Sequence, residues 1–590
     1  MPCASAPPRW LSIGALVAIC GVAFGLRCLH LLANDHYFLV TPDSYYFHGM
    51  ARLLVNGETY LYPTHGAHLP VHVFGGIIYP VAYIAKAFAC LTPLSTAQTL
   101  QVAAKLLAPG LGVATTLVLY FAISRLYGRT IALLSAFAWA IAPVAVFHQA
   151  AGYLDRDCLS LLVVTGGVFL FYLLSSPQIP TGAGRLNWVA GALVVGGIEA
   201  LMYVEWGFVG PVILLAIVVA FFLLQTLSNL LARVLPSVLR EEYPTRMLIA
   251  FGKGALRSLP GALDRLSGRI LAAVLVLNLL AAALQPTAFY LAWKHVIGIL
   301  TRSTQEARTV AEVQPLGLQD LSQYGFLLIP TIIGIYICAR RRNRPDILVL
   351  AWFSVLFVGG LFAVRLFLYA APATCVLSGI GLAALLDVKG LRPSLNHVFA
   401  MLFVNLRGLV PYLRIGLGVV IIIITITSSV LFARSFASNP PVAADDEWYD
   451  ALIWLKENAE PEAVIMTWWD YGYWIFDIAQ RVPVADNGRH TDDADADIAR
   501  VYCAFDDTEA VSIMTHYQAE YLVFSKVETR VLPRISLRVF NVAYGDGHSI
   551  PPELRESLYS RSLEDSFHSD TSLQRMYRSP GSTVVILKLF

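Results

Sequence analysis

Long apolar stretches recur through the first three quarters of the chain and stop near residue 435. Eleven of them are long enough to cross a bilayer as a helix, which takes about 20 predominantly apolar residues. They lie near residues 11–33, 100–124, 130–148, 158–176, 186–204, 207–227, 270–288, 322–339, 347–363, 366–387 and 415–434. The segment 71–91 is apolar too, but prolines, glycines and a lysine interrupt it, so we expect it at the membrane interface. The pattern predicts a polytopic α-helical membrane domain over residues 1–434, with outward loops at 34–99 and 289–321.

The tail, residues 435–590, has a different pattern, with frequent Asp and Glu and no long apolar run. A helix-like stretch from Glu447 to Asn458 leads into the apolar run Ala463–Trp469, and a helix-then-strand pattern covers roughly 508–525. These periods predict a soluble α/β domain with one core. The acid-rich stretch Asp486–Asp507 lacks the ligand spacing of a calcium loop, so we expect a solvated loop there.

Composition supports the membrane assignment and excludes other classes. Hydrophobic residues make up 57% of the 590 residues and charged residues only 14%, which excludes an ordinary soluble enzyme. The net charge of +2 argues against a nucleic-acid partner. Only one of the eight cysteines, Cys503, lies in the tail, so no disulfide framework is indicated.

The distribution of Lys and Arg predicts the orientation of the chain in the membrane. Basic residues collect around 125–129, 228–269, 340–344 and 388–414, and we expect those loops to be cytoplasmic. With an odd number of spans, the N-terminus is then cytoplasmic and the C-terminal domain periplasmic or otherwise extracytoplasmic. The first apolar stretch carries no convincing cleavage site, so we expect a retained span in an inner (plasma) membrane protein.

Four acids fall on the predicted outer face of the membrane domain. Asp43 follows the first span, Asp155 and Asp157 form a D-x-D motif after the third, and Glu312 lies in the loop before the span at 322. A single acid at the bilayer edge is usually a solvated loop residue. Four on one face of a chain this poor in charge indicate a site where a divalent cation keeps the carboxylates ionised. Oxygen ligands favour Mg²⁺ or Mn²⁺.

The run Trp468-Trp469-Asp470-Tyr471-Gly472-Tyr473 in the tail is the most informative motif of the sequence. Two adjacent indoles give rigid contact area, and the carboxylate beside them accepts a hydrogen bond from a hydroxyl. The arrangement suits a Thr or Ser side chain. The alternative is a strand-to-loop corner whose aromatic rings fill a core or lie at the membrane surface.

Together these motifs resemble the catalytic subunit of oligosaccharyltransferase, in particular its bacterial single-subunit type (PglB-like). The first-loop acid Asp43, the D-x-D pair, the Thr309–Glu312 motif and WWDYGY occur in the family's order, and the resemblance runs from residue 11 to about 540. It implies a GT-C type fold with about 11–13 transmembrane helices. It also implies an inverting, metal-dependent glycosyltransferase, with Mn²⁺ or Mg²⁺, acting as a single subunit among membrane lipids. The implied reaction moves a glycan en bloc from a polyprenyl-pyrophosphate carrier to Asn in Asn-x-Ser/Thr.

The resemblance and the chemistry together predict roles for individual residues. An Asn amide nitrogen is a poor nucleophile, and carboxylates that accept its N–H protons free its lone pair. Asp43 and Glu312 are the candidates for that catalytic role. The expected metal ligands are Asp43, Asp155, Asp157 and Glu312; the expected sequon-binding residues are Trp468, Trp469, Asp470 and Ile535; the expected donor-binding residues are Arg365, Tyr473 and His490.

Two residues depart from the family pattern, and two other classes of membrane protein are alternatives. His148 stands where the family usually carries Arg, and Arg538 occupies a position that is apolar in bacterial relatives. A GT-C transferase that uses a lipid-monophosphate sugar donor would share the first-loop acid but has no reason to carry WWDYG. A lipid-linked sugar flippase would place its polar residues near the middle of the spans.

Overall fold

The computed structural model describes residues 8–32, 39–57, 76–174, 217, 220–221, 223–224, 315–386, 410–438, 445–487, 492–565, 567–568 and 572–590. These form two compact units. The first takes the described residues within 1–30, 108–150 and 156–437, and the second those within 31–107, 151–155 and 438–590. The described part of the outward loop 34–99 therefore belongs to the same unit as the C-terminal domain.

Helices account for most of the described chain. They are α1 (Arg9–Cys28), α2 (Pro42–Asn56), α3 (Ile78–Leu91), α4 (Thr96–Tyr127), α5 (Arg129–Ile141), α6 (Pro143–His148), α7 (Arg156–Leu174), α8 (Leu318–Ser322), α9 (Leu328–Arg341), α10 (Arg344–Gly360), α11 (Val364–Leu368), α12 (Ala371–Leu385), α13 (Val410–Ser438), α14 (Asp446–Asn458), α15 (Gly472–Trp474), α16 (Asp492–Cys503), α17 (Asp507–His516), α18 (Leu532–Phe540) and α19 (Leu558–Ser562). The strands are β1 (Val464–Met466), β2 (Val482–Pro483), β3 (Ala519–Ser525), β4 (Leu573–Arg578) and β5 (Val584–Leu589).

Eight of the predicted spans coincide with described helices, namely α1, α4, α5, α7, α9, α10, α12 and α13. Three described helices are long and apolar enough to cross a membrane: Arg9–Cys28, Thr96–Tyr127 and the stretch Tyr412–Arg434 of α13. The predicted spans at 186–204 and 270–288, and most of 207–227, lie outside the described residues. The expected interfacial segment contains the apolar helix α3.

Helices α9 and α12 pack backbone against backbone in the first unit. A Cβ at Gly334 of α9 would collide with the carbonyl of Leu377, and one at Gly381 of α12 would collide with the carbonyl of Pro330. Small residues allow such close approach, which is how membrane helices gain packing energy without a hydrophobic driving force. Residues of both helices belong to one apolar core of the unit.

A fully buried cation also joins elements of the first unit. Arg27 of α1 donates to the Gln149 side chain at 3.3 and 3.2 Å and to the carbonyls of Ala23, Ala140 and Trp139 at 2.9 to 3.4 Å. Burying a charge without such partners would be very costly. Arg27 thereby connects α1 and α5 to the residue that follows α6.

The C-terminal domain in the second unit is built on a five-stranded mixed sheet of order β2-β1-β3-β5-β4. Strand β1 runs parallel to β2 and β3, while β5 runs antiparallel to β3 and β4. Asp445 caps α14, because its side chain accepts the Trp448 N–H at 2.8 Å. The predicted α/β fold of this domain is confirmed, including the helix predicted at 447–458 and the helix-then-strand pattern predicted over roughly 508–525.

The expectation of a solvated loop between Asp486 and Asp507 is wrong for residues 492–503. Residues Asp492–Cys503 form α16, in which Ile498 and Ala499 are fully buried. Clustered Asp residues at the start of a helix interact favourably with its dipole. The charge of this segment therefore did not predict its structure; its buried apolar residues favour a helix.

Candidate active site

Asp43 lies in the first turn of α2, and the local sequence explains why the helix begins there. Thr41 is the N-cap residue, and its side chain accepts the Ser44 N–H at 3.4 Å and lies 2.7 Å from the Ser44 hydroxyl. Pro42 occupies the first helical position, which suits its fixed φ and missing N–H. The half-buried carboxylate of Asp43 thus lies at the positive end of a helix dipole.

Backbone hydrogen bonds bring the Asp43 segment beside the loop that carries Asp155. The Val40 N–H donates to the Gly152 carbonyl at 3.1 Å, and the Gly152 N–H donates to the Lys105 carbonyl at 3.0 Å. Gly152 has a φ of +78°, a conformation that favours glycine. Asp155 itself is buried, with 4% of its surface exposed. Two of the predicted metal ligands therefore belong to adjoining segments of the second unit.

Asp157, the other acid of the D-x-D motif, lies at the start of α7 in the first unit. Its Oδ1 accepts a hydrogen bond from Arg365 Nη2 at 3.1 Å and one from the Tyr369 hydroxyl at 2.5 Å. Neither contact uses Oδ2. His148 lies in the electrostatic range of Asp157 and Arg365, so the residue that departs from the family pattern borders this ion pair. The predicted donor-binding Arg365 is thus held by a D-x-D acid.

The WWD motif follows β1 directly. Trp468 is buried at 3% exposure, and its backbone N–H donates to the Tyr502 hydroxyl at 3.0 Å. The two indole rings lie 6.0 Å apart at a 43° tilt. Trp469 and Asp470 are half-buried. The inner ring therefore belongs to the core, as the alternative interpretation expected, while Trp469 and Asp470 keep part of their surface exposed.

The backbone turns after Asp470, and at Gly472 it lies so close to residues 485–486 that only glycine fits. A Cβ at Gly472 would collide with the Ala485 carbonyl and lie 2.6 Å from Asp486 Cα. The Asn487 side-chain amide, in the orientation that satisfies its hydrogen bonds, donates to the carbonyls of Trp469 at 3.0 Å and Asp470 at 3.3 Å. Segment 485–487 thereby fixes the turn that presents the Asp470 carboxylate.

Burial raises the pKa of the Asp470 carboxyl to about 6. A hydrogen bond from the Trp468 side chain and the charge of Arg534 oppose this shift, while the charges of Asp495 and Asp43 add to it. The first-loop acid and the WWD acid therefore lie in one electrostatic neighbourhood of the second unit. At neutral pH Asp470 is ionised and accepts hydrogen bonds.

The remaining predicted residues lie in different environments. Tyr473 is 6% exposed, and its ring packs 4.9 Å from that of Tyr46. Ile535 on α18 is fully buried. Glu312 and His490 lie outside the described residues. The donor-binding and sequon-binding roles of these residues stay predictions.

Two buried acids near the motif were missed by sequence reasoning. Glu528 accepts the Tyr502 hydroxyl at 2.7 Å and the Ser525 N–H at 3.0 Å, and Asp477 accepts His48 Nδ1 at 2.8 and 2.9 Å. The S-x-x-E spacing of Ser525 and Glu528 is a capping-box signal that could have revealed the first of them. Nothing local signals the second.

Within the part of the chain that the structure describes, no three His, Cys, Asp or Glu side chains lie close enough together to hold a metal ion. The carboxylate oxygens of Asp43, Asp155 and Asp157 nevertheless match the hard donors that Mg²⁺ and Mn²⁺ prefer. Buried and half-buried acids of this kind would be stabilised by a cation.

Comparison with known proteins finds similarity in part of the sequence and in the fold. The AglB core domain model matches residues 458–529, the segment that contains WWDYGY. The dolichyl-phosphooligosaccharide-protein glycotransferase 3 of Archaeoglobus fulgidus is 25% identical over 223 residues, which is 30% of this chain and 25% of that protein. This match therefore spans about a quarter of the relative's length.

Solved structures resemble the whole chain in fold. An archaeal oligosaccharyltransferase AglB from Archaeoglobus fulgidus, in complex with an inhibitory peptide and a dolichol-phosphate, superimposes with a TM-score of 0.70 at 16% identity, covering 97% of this chain and 80% of that one. ArnT from Cupriavidus metallidurans bound to undecaprenyl phosphate gives 0.52 at 13% identity, covering 97% and 98%.

The chain is a multi-pass membrane protein with the GT-C fold and a C-terminal sheet-containing domain. The segment around its WWDYGY motif is similar in sequence to the AglB core domain and to a dolichyl-phosphooligosaccharide-protein glycotransferase, and its fold is similar to that of AglB.

Proposed function

We propose that this protein is an asparagine-linked oligosaccharyltransferase, which moves a glycan en bloc from a polyprenyl-pyrophosphate donor to Asn in Asn-x-Ser/Thr. The observation that carries the proposal is the position of Asp470. Asp470 is half-buried beside Trp469, and the charge of Asp43 lies close enough to contribute to its raised pKa. A site for an acceptor hydroxyl thus lies near a candidate acid for the acceptor amide.

In the acceptor site, the ionised Asp470 accepts the hydroxyl hydrogen of Thr or Ser, while the methyl group of Thr rests on an indole face. Such a hydrogen bond to a charged group is stronger than a neutral one. Trp468 is held by Tyr502 through its backbone, so the ring behind Trp469 is fixed. These residues hold the acceptor and take no part in bond formation.

At the amide, Asp43 and Glu312 accept hydrogen bonds from the two N–H groups of the acceptor Asn and free the nitrogen lone pair for attack. The attack forms the bond between the nitrogen and the anomeric carbon as the bond to the lipid pyrophosphate breaks, which inverts the sugar, and one N–H proton passes to one of the two carboxylates. Arg365, with Tyr473 and His490, contacts the donor. Asp157 orients Arg365, because it holds one guanidinium nitrogen at 3.1 Å.

Asp43, Asp155, Asp157 and Glu312 supply oxygen ligands for Mn²⁺ or Mg²⁺. When bound, the cation supplies electrostatic stabilisation of the leaving pyrophosphate. The proposed setting is the inner (plasma) membrane, with a cytoplasmic N-terminus and the C-terminal domain periplasmic. There the chain acts as a single subunit on lipid-linked oligosaccharide and on polypeptides with the sequon.

The second candidate is a GT-C transferase that uses a lipid-monophosphate sugar donor. This candidate is retained because the fold is similar to that of ArnT bound to undecaprenyl phosphate. The AglB core match over the WWDYGY segment favours peptide glycosylation, because a lipid-modifying transferase has no need of a hydroxyl site in its C-terminal domain.

One assay decides between these functions. Purified protein is given a divalent cation, a fluorescent Asn-x-Thr peptide and either a lipid-pyrophosphate oligosaccharide or, in a parallel reaction, a lipid-monophosphate sugar; glycopeptide is measured by mass shift, together with consumption of the donor. Gln-x-Thr and Asn-x-Ala peptides are the matched controls. We expect transfer to Asn-x-Thr alone; transfer from a lipid-monophosphate donor with none to peptide would establish the alternative.

A further inference from the structure

A buried hydrogen-bonded pair within the second unit joins α2 to the segment that follows WWDYGY. His48 Nδ1 lies 2.9 Å from Asp477 Oδ1 and 2.8 Å from Oδ2, across 429 residues of sequence. Arg52 adds a cation, with Nε 3.8 Å from Asp477 Oδ1. His48 is 8% exposed and Asp477 6%. Water therefore screens this pair little, and its geometry is held tightly.

Aromatic packing surrounds the pair and makes the contact rigid. A Cβ at Gly49 would lie 2.5 Å from Phe476 Cε1, so α2 approaches the ring as closely as glycine allows. The Arg52 guanidinium lies over the same ring at 6.0 Å. Tyr45 meets Trp474 edge to face at 6.4 Å. Close-packed contacts of this kind resist small displacements.

Each partner of the pair stands on a continuous helical element that also carries a residue of the proposed site. His48 is five residues after Asp43 on α2. Asp477 is seven residues after Asp470 on the helical turns that run from Trp469 to Ala479. A fixed His48–Asp477 contact therefore fixes the spacing between Asp43 and Asp470.

An Asn-x-Ser/Thr acceptor must match the spacing between Asp43 and Asp470. The acceptor Asn and the hydroxyl residue are two positions apart, a reach of about 7 Å in an extended chain. If the two ends of the site moved independently, the hydroxyl could still be bound while the amide missed its acid. A misplacement of about 1 Å can cost about 100-fold in rate.

We propose that His48 and Asp477 are positioning residues that set the distance between the acid at the acceptor amide and the acid at the acceptor hydroxyl. This inference rests on the proposed function. It differs from a role in folding alone, because it predicts a loss of turnover while acceptor binding is kept.

The test uses the full-length protein in detergent with Asp477→Asn, which keeps the side-chain shape and removes the charge. Asp507→Asn is the matched control, since it removes a buried acid paired with Arg561 elsewhere in the same domain. We expect Asp477→Asn to lower kcat about tenfold or more, with the Kd of an Asn-x-Thr peptide within about threefold of wild type. Asp507→Asn should change neither.

A second variant covers the case in which Asp477→Asn does not fold. His48→Asn removes one partner and leaves Arg52 beside Asp477, and it should show the same split between kcat and Kd. Exchange of the two residues, His48→Asp with Asp477→His, should recover part of the lost kcat. Unchanged kcat in both single variants, or a kcat loss matched by an equal loss of peptide binding, overturns the positioning role. Absence of transfer by the wild-type protein would instead refute the proposed function.

Discussion

Arg538 forms an ion pair with Asp495, with 3.3 Å between Nη2 and Oδ2. The Asp495 side chain is fully buried, and the pair fastens α18 to α16. A cation in this domain could select an acidic residue upstream of the acceptor Asn. Because Arg538 already neutralises a buried carboxylate, its removal to bind a substrate acid would leave that charge uncompensated.

We therefore predict weak selection for acid two positions before the acceptor Asn. The stretch between Arg308 and Arg340 contains no Arg or Lys either, so a substrate carboxylate there would be desolvated without compensation. Competition between Asp-x-Asn-x-Thr and Ala-x-Asn-x-Thr peptides should give kcat/KM values within about tenfold, or about 1.4 kcal/mol. A larger preference for Asp that disappears in Arg534→Gln would assign the selection to Arg534, the cation that influences Asp470.

Acceptor binding should depend on pH through Asp470, whose pKa is raised to about 6 by burial. Above that pH the carboxylate is ionised and accepts the acceptor hydroxyl; as the pH falls through about 6 it becomes protonated and the charge-assisted bond is lost. We expect the acceptor KM to rise severalfold between pH 7.5 and 5.5 at constant donor. Asp470→Asn should have a high KM that stays flat over this range, and a pH dependence that survives in this variant would contradict the assignment.

How much of this site could be predicted from sequence depends on how local each feature is. The helix–strand order of the C-terminal domain follows from apolar periods within ten to fifteen residues, and the motif acids were found because their neighbours in sequence were informative. The Tyr502–Glu528 and His48–Asp477 pairs span 26 and 429 residues. Local sequence patterns do not identify partners this far apart, because each side chain alone looks like an ordinary polar residue.

Glu528 should make the fold less stable as the pH rises. Burial raises the pKa of its carboxyl to about 8, with the Asp470 charge adding to the shift and hydrogen bonds from Ser525 and Tyr502 opposing it. Because the folded-state pKa lies above the unfolded value, the stabilisation is fully present below about pH 4.5 and is lost as the pH rises through about 8. We expect the wild-type Tm to fall by several degrees between pH 6.5 and 9. Glu528→Gln should reduce that fall, and Asp507→Asn should not.

Removal of divalent cations should stop transfer reversibly. The proposed ligands are carboxylates, so a chelator should abolish turnover and excess Mn²⁺ or Mg²⁺ should restore it. Asp155→Asn should lower kcat about 100-fold or more and weaken Mn²⁺ binding measured by electron paramagnetic resonance. The control is Asp507→Asn, which should bind Mn²⁺ as wild type does. Full activity of Asp155→Asn in excess chelator would remove the metal from the mechanism.

The last prediction concerns the buried cation of the first unit. A Cβ at Gly112 of α4 would collide with Arg27 Nε and lie 2.7 Å from its Cδ and 2.8 Å from Gln149 Oε1. Gly112→Ala must therefore displace a guanidinium whose hydrogen bonds offset its burial, and we expect a loss of several degrees in Tm. Gly110 is two residues away on the same helix, and a Cβ there meets nothing within 4 Å. Gly110→Ala should leave the Tm unchanged or raise it slightly, because alanine favours a helix by up to about 1 kcal/mol over glycine. Equal melting temperatures for the two variants would mean that Arg27 is not confined as the geometry requires.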